Sequence, residues 1–500
     1  DGNGGGGELP SGLPDLVYSA DRNTPGQTEL FVTRDDGDTI TRLSGNLVAG
    51  GEVLTFQVSP DGSRVAYLAD QRIDGTFELF VVPVSGGSSL RVSPLPAGRE
   101  VVTFAWAPDS SRIAYLADQV NAGRFELFTA APDGSGNAQV SGALPAGGQV
   151  RDDFVWAPNS ARIAYRADQN VQGQVELFAT PPAVQSPILI SNPGIQASGN
   201  VTAFEWAPNS LRLAYLGDIV SDQQFDLFSA TVTAPVSRSQ VSPASPVDYD
   251  VVAFGWAPDS NRLAYIADLD VNDVFELYTS LPTGGGGEQL SEIAPAGGDV
   301  DEFAWAPDGS RVAYLADQIN DGVRELFSAP PTGGGSTRIS GALVAGGAVD
   351  GFRWAPGSAK IAYAADQATD EVVELYTTSP ANAADNVRIS GTPMIGGGVT
   401  DFAWAPDSSR VVYLADQDVA DIPELFSSTP DGAANDQVSG ALVVDGIVTD
   451  FAWAPDSSGI AYVADQDRLL DFELFASLPD GSDNGKASDG GDIALFAWVP

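Results

Sequence analysis

The chain contains no cysteine and no histidine. The first absence removes disulfides, thiolate metal sites and a thiol nucleophile. The second removes the Ser-His-Asp triad, histidine metal ligation and imidazole acid–base catalysis. A core built from 500 residues needs no disulfide staples, so the missing cysteine leaves the compartment open. Lysine is nearly absent too, with Lys360 and Lys486 alone. Sixty-seven acidic residues against 24 basic ones give a formal charge of −43. No basic patch interrupts that charge, which argues against nucleic acid as a partner. No run approaches the roughly 18 apolar residues expected of a transmembrane helix.

Chain-turners, by contrast, are plentiful. Fifty-five Gly and 34 Pro exclude a long-helix or coiled-coil protein, while 43% apolar residues are enough for a large core. The phrase FAWAPDSSRIAYLADQ at Phe104 returns, slightly varied, at Phe154, Phe204, Phe254, Phe303, Phe352, Phe402 and Phe451, and a looser copy starts at Phe56. Its tyrosine recurs at 18, 67, 115, 165, 215, 265, 314, 363, 413 and 462, a spacing of 48 to 50 residues. Within one unit, VVTFAWAP alternates as a strand and Pro108-Asp109-Ser110-Ser111 turns. RIAYLA from Arg112, FELFTA from Phe125 and AQVSG from Ala138 then follow as strands, with a loop over Asp118 to Gly123. Four short antiparallel strands per repeat of this length are the pattern of a propeller blade.

The two ends complement each other. The N-terminal copy, SGLPDLVYSAD onward, has second, third and fourth strands but no first. The C-terminal ALFAWVP, with Phe496, Trp498 and Pro500, is a first strand with nothing after it. The expected fold is therefore all-β: a single propeller of ten four-stranded blades over residues 13–500. One blade is composite, pairing the C-terminal strand at Phe496, Trp498 and Pro500 with the N-terminal strand of Leu16 and Tyr18, and so closing a ring. The alternative is that strand 496–500 is donated to the next molecule, building an extracellular filament. The head, DGNGGGGELPSG over residues 1–12, reads as a flexible tether such as follows a cleaved leader or a lipidated cysteine before Asp1.

W-A-P-D-S-S-R-I-A-Y, an acidic turn and E-L-F resemble the TolB-type β-propeller repeat, with its W-S-P-D-G-x-x-I-A-F pattern and following E-I-Y strand. The likeness runs from Leu13 to Pro500. It implies the propeller fold and a periplasmic or surface protein that binds partner proteins. Related propellers cap some serine peptidases, but no peptidase domain is appended here. The separate N-terminal domain of TolB-type proteins is likewise not expected within these 500 residues.

Three residue sets are candidates for chemistry. The Phe/Trp pairs of the first strands, such as Phe104/Trp106 and Phe254/Trp256, could stack sugars, but one pair per blade on one face is what packing between blades requires. Arg64, Arg112, Arg162, Arg212, Arg262, Arg311, Lys360 and Arg410 precede each tyrosine by three residues and could ring an anion. Pairing with a local carboxylate, such as the turn Asp109 or the strand Glu126, is the plainer expectation. The cycle breaks at Gly459 and Asp15, which suggests an asymmetric surface.

The acidic loops suit calcium, which takes six to eight oxygens in irregular geometry. Asp268, Asp270, Asn272 and Asp273 form the candidate metal site, with Asp416/Asp418/Asp421 and Asp465/Asp467/Asp471 as further clusters. The first Asp of each also recurs in every full blade, as a turn-former would. Paired carboxylates could hydrolyse glycosides. At the place between Phe and Trp, however, only Glu205 and Arg353 carry charge, beside Gln57, Val155, Gly255 and a recurrent Ala. The expectation is a non-catalytic, exported scaffold acting on a protein partner or on itself, through rim loops or self-assembly. A channel-binding module for a small ligand or carbohydrate is the further alternative.

Overall fold

Each stretch of alternating apolar residues is a strand in the computed structural model, which describes residues 9–34, 39–191, 199–221, 223–243, 249–292, 297–392, 397–417, 419, 421–488 and 490–500. Among the described residues every regular element is a strand, and the strands form ten four-stranded sheets. The fold is the expected all-β propeller of ten blades, each named below by its tyrosine.

The Tyr115 blade shows the local logic. Its strands are Val101–Trp106, Ile113–Asn121, Arg124–Ala130 and Ala138–Gln139. The second and third run further than the sequence suggests and absorb most of the loop expected over Asp118 to Gly123. The hairpin that remains turns at Ala122-Gly123, with Gly123 at φ 67°. In every blade the tyrosine of the second strand stacks on the aromatic directly across from it on the third. The ten pairs have ring centroids 5.4 to 5.7 Å apart. Such offset stacks add stability beyond the area they bury.

The chain divides into two compact units. One comprises Asp1–Val58, Asp301–Ala329 and Ser336–Pro500, and the other Ser59–Val300 and Pro330–Gly335. Within each, blades are joined by the same two hydrogen bonds. A first-strand tryptophan donates its indole N–H to the carbonyl between Phe and Trp of the preceding blade. Examples are Trp156 to Ala105 at 3.1 Å in one unit and Trp404 to Arg353 at 3.0 Å in the other. The tryptophans therefore belong to the packing between blades. The second bond comes from the W-A-P-D-S-S turn. Its first serine takes positive φ, 59° at Ser110 and 65° at Ser408. Its Oγ accepts a backbone N–H from the previous turn, Asp61 to Ser110 at 3.0 Å and Gly357 to Ser408 at 2.9 Å. A glycine would suit that backbone better, but would lose the bond to the neighbouring blade.

The composite blade lies within the first unit, in the order Ile40–Arg42, Glu29–Thr33, Leu16–Ala20, Ile493–Trp498. Leu16 faces Trp498 and Tyr18 faces Phe496 in antiparallel register. Leu16, Tyr18 and Trp498 are buried. The Trp498 indole donates to Ala452 O at 3.0 Å, as the other tryptophans do one blade back. Pro500 lies just past the strand, where Val499 N donates to Asp15 O at 2.9 Å. The turn of a covalent hairpin, Ala107 N to Arg112 O, has the same bond at the same 2.9 Å. Of the tether expected over 1–12, residues 1–8 lie outside the described residues, while Leu9 packs with Leu13, Leu16 and Trp498 in one cluster.

Candidate functional site

The Asp that follows each second strand is a clamp. Asp268 accepts the Asp273 N–H on one carboxylate oxygen at 3.0 Å and the Asp250 N–H on the other at 2.6 Å. The first bond closes its own loop; the second ties the loop to the residue before the blade's first strand. Asp118, Asp168 and Asp465 repeat both bonds. Of the other candidate metal ligands, Asn272 donates to the Asp273 carboxylate at 3.0 Å, and Asp270 accepts from the Tyr278 hydroxyl at 3.4 Å. Asp416 clamps Asp421 N in the same way, and Asp418 lies outside the described residues. Asp467 stands 3.6 Å from Lys486, and Asp471 3.8 Å from Arg468. Among the described residues no three acidic side chains are disposed to cage a metal ion.

Of the cations before the tyrosines, Arg410 meets a local carboxylate, that of Asp436, while others reach hydroxyls and carbonyls instead. Arg112 donates to Thr129 Oγ1 at 3.0 Å and Gly136 O at 2.6 Å; Arg212 and Arg311 likewise reach Ser229 and Ser328. Strand register sets them apart from the third-strand glutamates. Arg64 faces Pro83 at one end of the hairpin and Ala69 faces Glu78 at the other, so arginine and glutamate sit five residues apart along the strands. Five residues of extended chain span about 17 Å. The third-strand glutamates instead pair with fourth-strand cations: Glu78 with Arg91 at 2.6 Å, Glu325 with Arg338 at 2.7 Å, Glu473 with Lys486 at 2.5 Å. Glu126 pairs with Arg124 at 3.1 Å. The two breaks in the arginine series are features of the composite seam. A Cβ on Gly459 would stand 2.5 Å from a Leu13 methyl, so Leu13 fills the arginine's place. Asp15 pairs with Arg34 at 2.6 Å.

Glu205 and Arg353, the charged departures between Phe and Trp, fall in different units. Glu205 accepts the Trp256 N–H at 3.3 Å, and burial pushes its carboxyl up to about 7 against that bond. Arg353 lines an open cleft of about 470 Å³ across the first strands Val300–Trp305, Val349–Trp354 and Val399–Trp404. Its guanidinium lies 5.4 Å from the Phe402 ring centroid and donates to Asp401 at 3.0 Å. Glu302 and Asp350 complete the charged wall, and Phe352 and Phe402 the apolar lining. Burial raises the Glu302 and Asp350 carboxyls above their ordinary range, with Arg324 opposing in both. Sequence reading flagged Arg353 alone. Glu302, Gly351 and Asp401 stand in successive blades at the residue before Phe, which also holds Thr103, Asp153, Ala203 and Asp450 and so marks no break in the repeat.

A second feature repeats from blade to blade. The connection between second and third strands carries an exposed aliphatic residue in most blades, on a loop at Ile73 and Val171 and near the tip of an extended second strand at Val120 and Val220. In one unit these are Ile73, Val120, Val171, Val220 and Val271; in the other, Ile319, Val419 and Leu469, joined by Leu470 at 76% exposure.

No family model and no curated protein matches the chain. By structure it is similar to a eukaryotic initiation factor, at TM-score 0.54 and 11% identity over 98% of this chain and 99% of that one. It is also similar to the dipeptidyl peptidase 4 of Porphyromonas gingivalis, at TM-score 0.51 and 12% identity over 82% of this chain and 64% of that one. A putative TolB of Agrobacterium tumefaciens matches 53% of this chain and 94% of its own, at TM-score 0.30 and 16% identity. Likeness at such identities is likeness of fold. It corrects one expectation: the chain cannot be set down as non-catalytic, because a dipeptidyl peptidase shares its fold over most of its length. Blade uniformity and the lack of histidine do not remove this fold from enzymes. Among the described residues no helix is long and apolar enough to cross a membrane.

Proposed function

We propose that the chain is a protein-interaction scaffold whose contact surface is the row of connections between second and third strands, loops and strand tips together. The supporting observation is the exposed aliphatic residue that returns there, from Ile73, Val120, Val171 and Val220 onward, roughly half exposed in each case. Scattered single apolar residues on a surface need no explanation. A residue that returns to one connection in successive blades is different, because blades held in register set those connections side by side. The TolB-like repeat, with its partner-binding members, agrees with this reading. The strand needed for filament growth is already paired within the chain, Phe496 against Tyr18, which favours loop contacts over strand exchange.

The test compares three immobilised proteins in extract from the native source. They are the wild type, an Ile73→Ser/Val120→Ser/Val171→Ser/Val220→Ser variant, and a control with Val184→Ser and Leu211→Ser, exposed elsewhere. A saturable, near-stoichiometric partner kept by the control and lost by the loop variant is expected. Equal capture by all three, or none by the wild type, would defeat the proposal.

A further inference from the structure

Among near-identical blades, chemistry specific to one place must come from residues that depart from the repeat. In the unit holding the composite blade Arg353 is such a departure, and it converges with three residues from a position that varies from blade to blade. Glu302, Gly351 and Asp401 occupy the position before Phe in three successive blades, and Arg353 takes the place usually held by alanine. Gly351 opens the space: a Cβ built on it would meet nothing within 4 Å. The resulting cleft, about 470 Å³, is within the range of sites for small organic groups.

Its charges are unequally matched. Arg353 is committed to Asp401 and to the face of Phe402. Arg324 donates to the carbonyls of Val349 at 2.8 Å and Asp350 at 3.2 Å, and comes no nearer than 3.9 Å to the Asp350 carboxylate. Among the described residues none hydrogen-bonds to the Glu302 carboxylate or forms an ion pair with it; Arg324 and Arg353 act on it only through space. The cleft thus keeps carboxylate in excess, on a chain whose formal charge is −43. Such a field repels anions and gathers cations. A bare metal ion does not suit it, since no three acidic groups come together as ligands among the described residues. The apolar lining of Phe352, Phe402 and Ala364 suits an aliphatic stem instead.

We propose that this cleft binds an organic cation, an alkylammonium or guanidinium group on an aliphatic stem. Glu302 receives the charged head, Asp350 stands beside it, and the space over Gly351 holds the stem. The chemistry is shared by a free polyamine and by a lysine or arginine side chain of a protein. The site is separate from the loop surface, so each stands or falls without the other.

The experiment is calorimetric titration of the full chain with spermidine, with the methylamides of N-acetyl-lysine and N-acetyl-arginine, and with the methylamide of N-acetyl-norleucine as uncharged counterpart. Titrations are run at low and at physiological ionic strength. Saturable one-site binding of a cationic probe, with none of the norleucine compound, is expected. Losing a charge-assisted bond worth about 1.5–3 kcal/mol, Glu302→Gln should weaken binding by about tenfold or more. Gly351→Leu should abolish it by filling the cleft. Asp74→Asn, which removes one charge from a loop of the other unit, should leave it unchanged. Binding of spermidine identifies a free polyamine and binding of the amino-acid amides a protein side chain; either supports the site. No saturable binding, or equal weakening by Glu302→Gln and Asp74→Asn, would overturn it. Because Glu302→Gln keeps the size and shape of the side chain, the test holds even if Gly351→Leu disturbs folding.

Discussion

Replacing Trp498 with alanine tests whether the two ends of the chain make one blade. The indole is 6% exposed, packs with Leu13, Leu16 and Ala461, and donates to Ala452 O at 3.0 Å. Truncating a buried tryptophan costs about 3–5 kcal/mol, part of it from the orphaned carbonyl. Trp404 is the matched control: 8% exposed, bonded to Arg353 O at 3.0 Å, but on a strand joined by a short turn to its neighbour. Both substitutions should lower stability by similar amounts in urea denaturation. They should differ in hydrogen exchange. The strand Ile493–Trp498 is held to Leu16–Ala20 only by register and packing, so Trp498→Ala should let it detach and expose the amides of Val17 and Ser19. Trp404→Ala should leave the hairpin of its own blade protected short of global unfolding. A cost below about 1 kcal/mol for Trp498→Ala, or exchange in Leu16–Ala20 no faster than in the control, would refute the composite blade.

Leu470 takes φ 63° at a loop position where Gly75, Gly123 and Gly322 stand in other blades. Leu470→Gly should gain about 0.5 kcal/mol, relief of left-handed strain less the freedom a glycine gains on unfolding, read as a raised urea midpoint. Ser408→Ala should cost about 1 kcal/mol through the lost bond from Gly357 N, and Ser408→Gly less, since glycine accepts φ 65°. Asp226, a buried carboxyl bonded to Gln240 and Ser242, is pushed up to about 6 chiefly by burial. Its folded form holds a proton that the unfolded form releases near 3.8, so its contribution to stability falls as pH rises from about 4 to 6. Asp226→Asn should therefore flatten that window and stabilise the protein at neutral pH, by on the order of 2–3 kcal/mol. A pH–urea matrix that is unchanged by the substitution would contradict this sign.

Much of the architecture was legible because it is local and periodic. Alternation of apolar residues marks a strand whatever surrounds it, and ten tyrosines at near-constant spacing mark ten equivalent hairpins. The clamp role of Asp70, Asp118 and Asp168 could be read in the same way, since the residue recurs even where its loop has few other acids. Distance along strands was not legible. The expected Arg–Glu pairing failed because the two residues face opposite ends of one hairpin. That is a matter of register, which residue type does not reveal.

The amino-acid sequence by itself determined the all-β class, the number of blades, the residues that pack between them and the complementarity of the two ends. All of these follow from a pattern repeated within about 50 residues. The pairing of those ends within one chain, by contrast, is a result of the tertiary structure. Tertiary structure alone decided what happens where the pattern lapses. Gly459 is empty of a side chain because Leu13, distant in sequence, fills its place. Glu302, Asp350, Arg353 and Asp401 become one cleft because neighbouring blades align equivalent first strands. Residues like Val120 and Val171 stay outside because the hairpin ends that carry them have no blade to pack against. Periodicity specifies the repeated contacts, whereas a site made from variable residues exists only once the chain has brought those residues side by side.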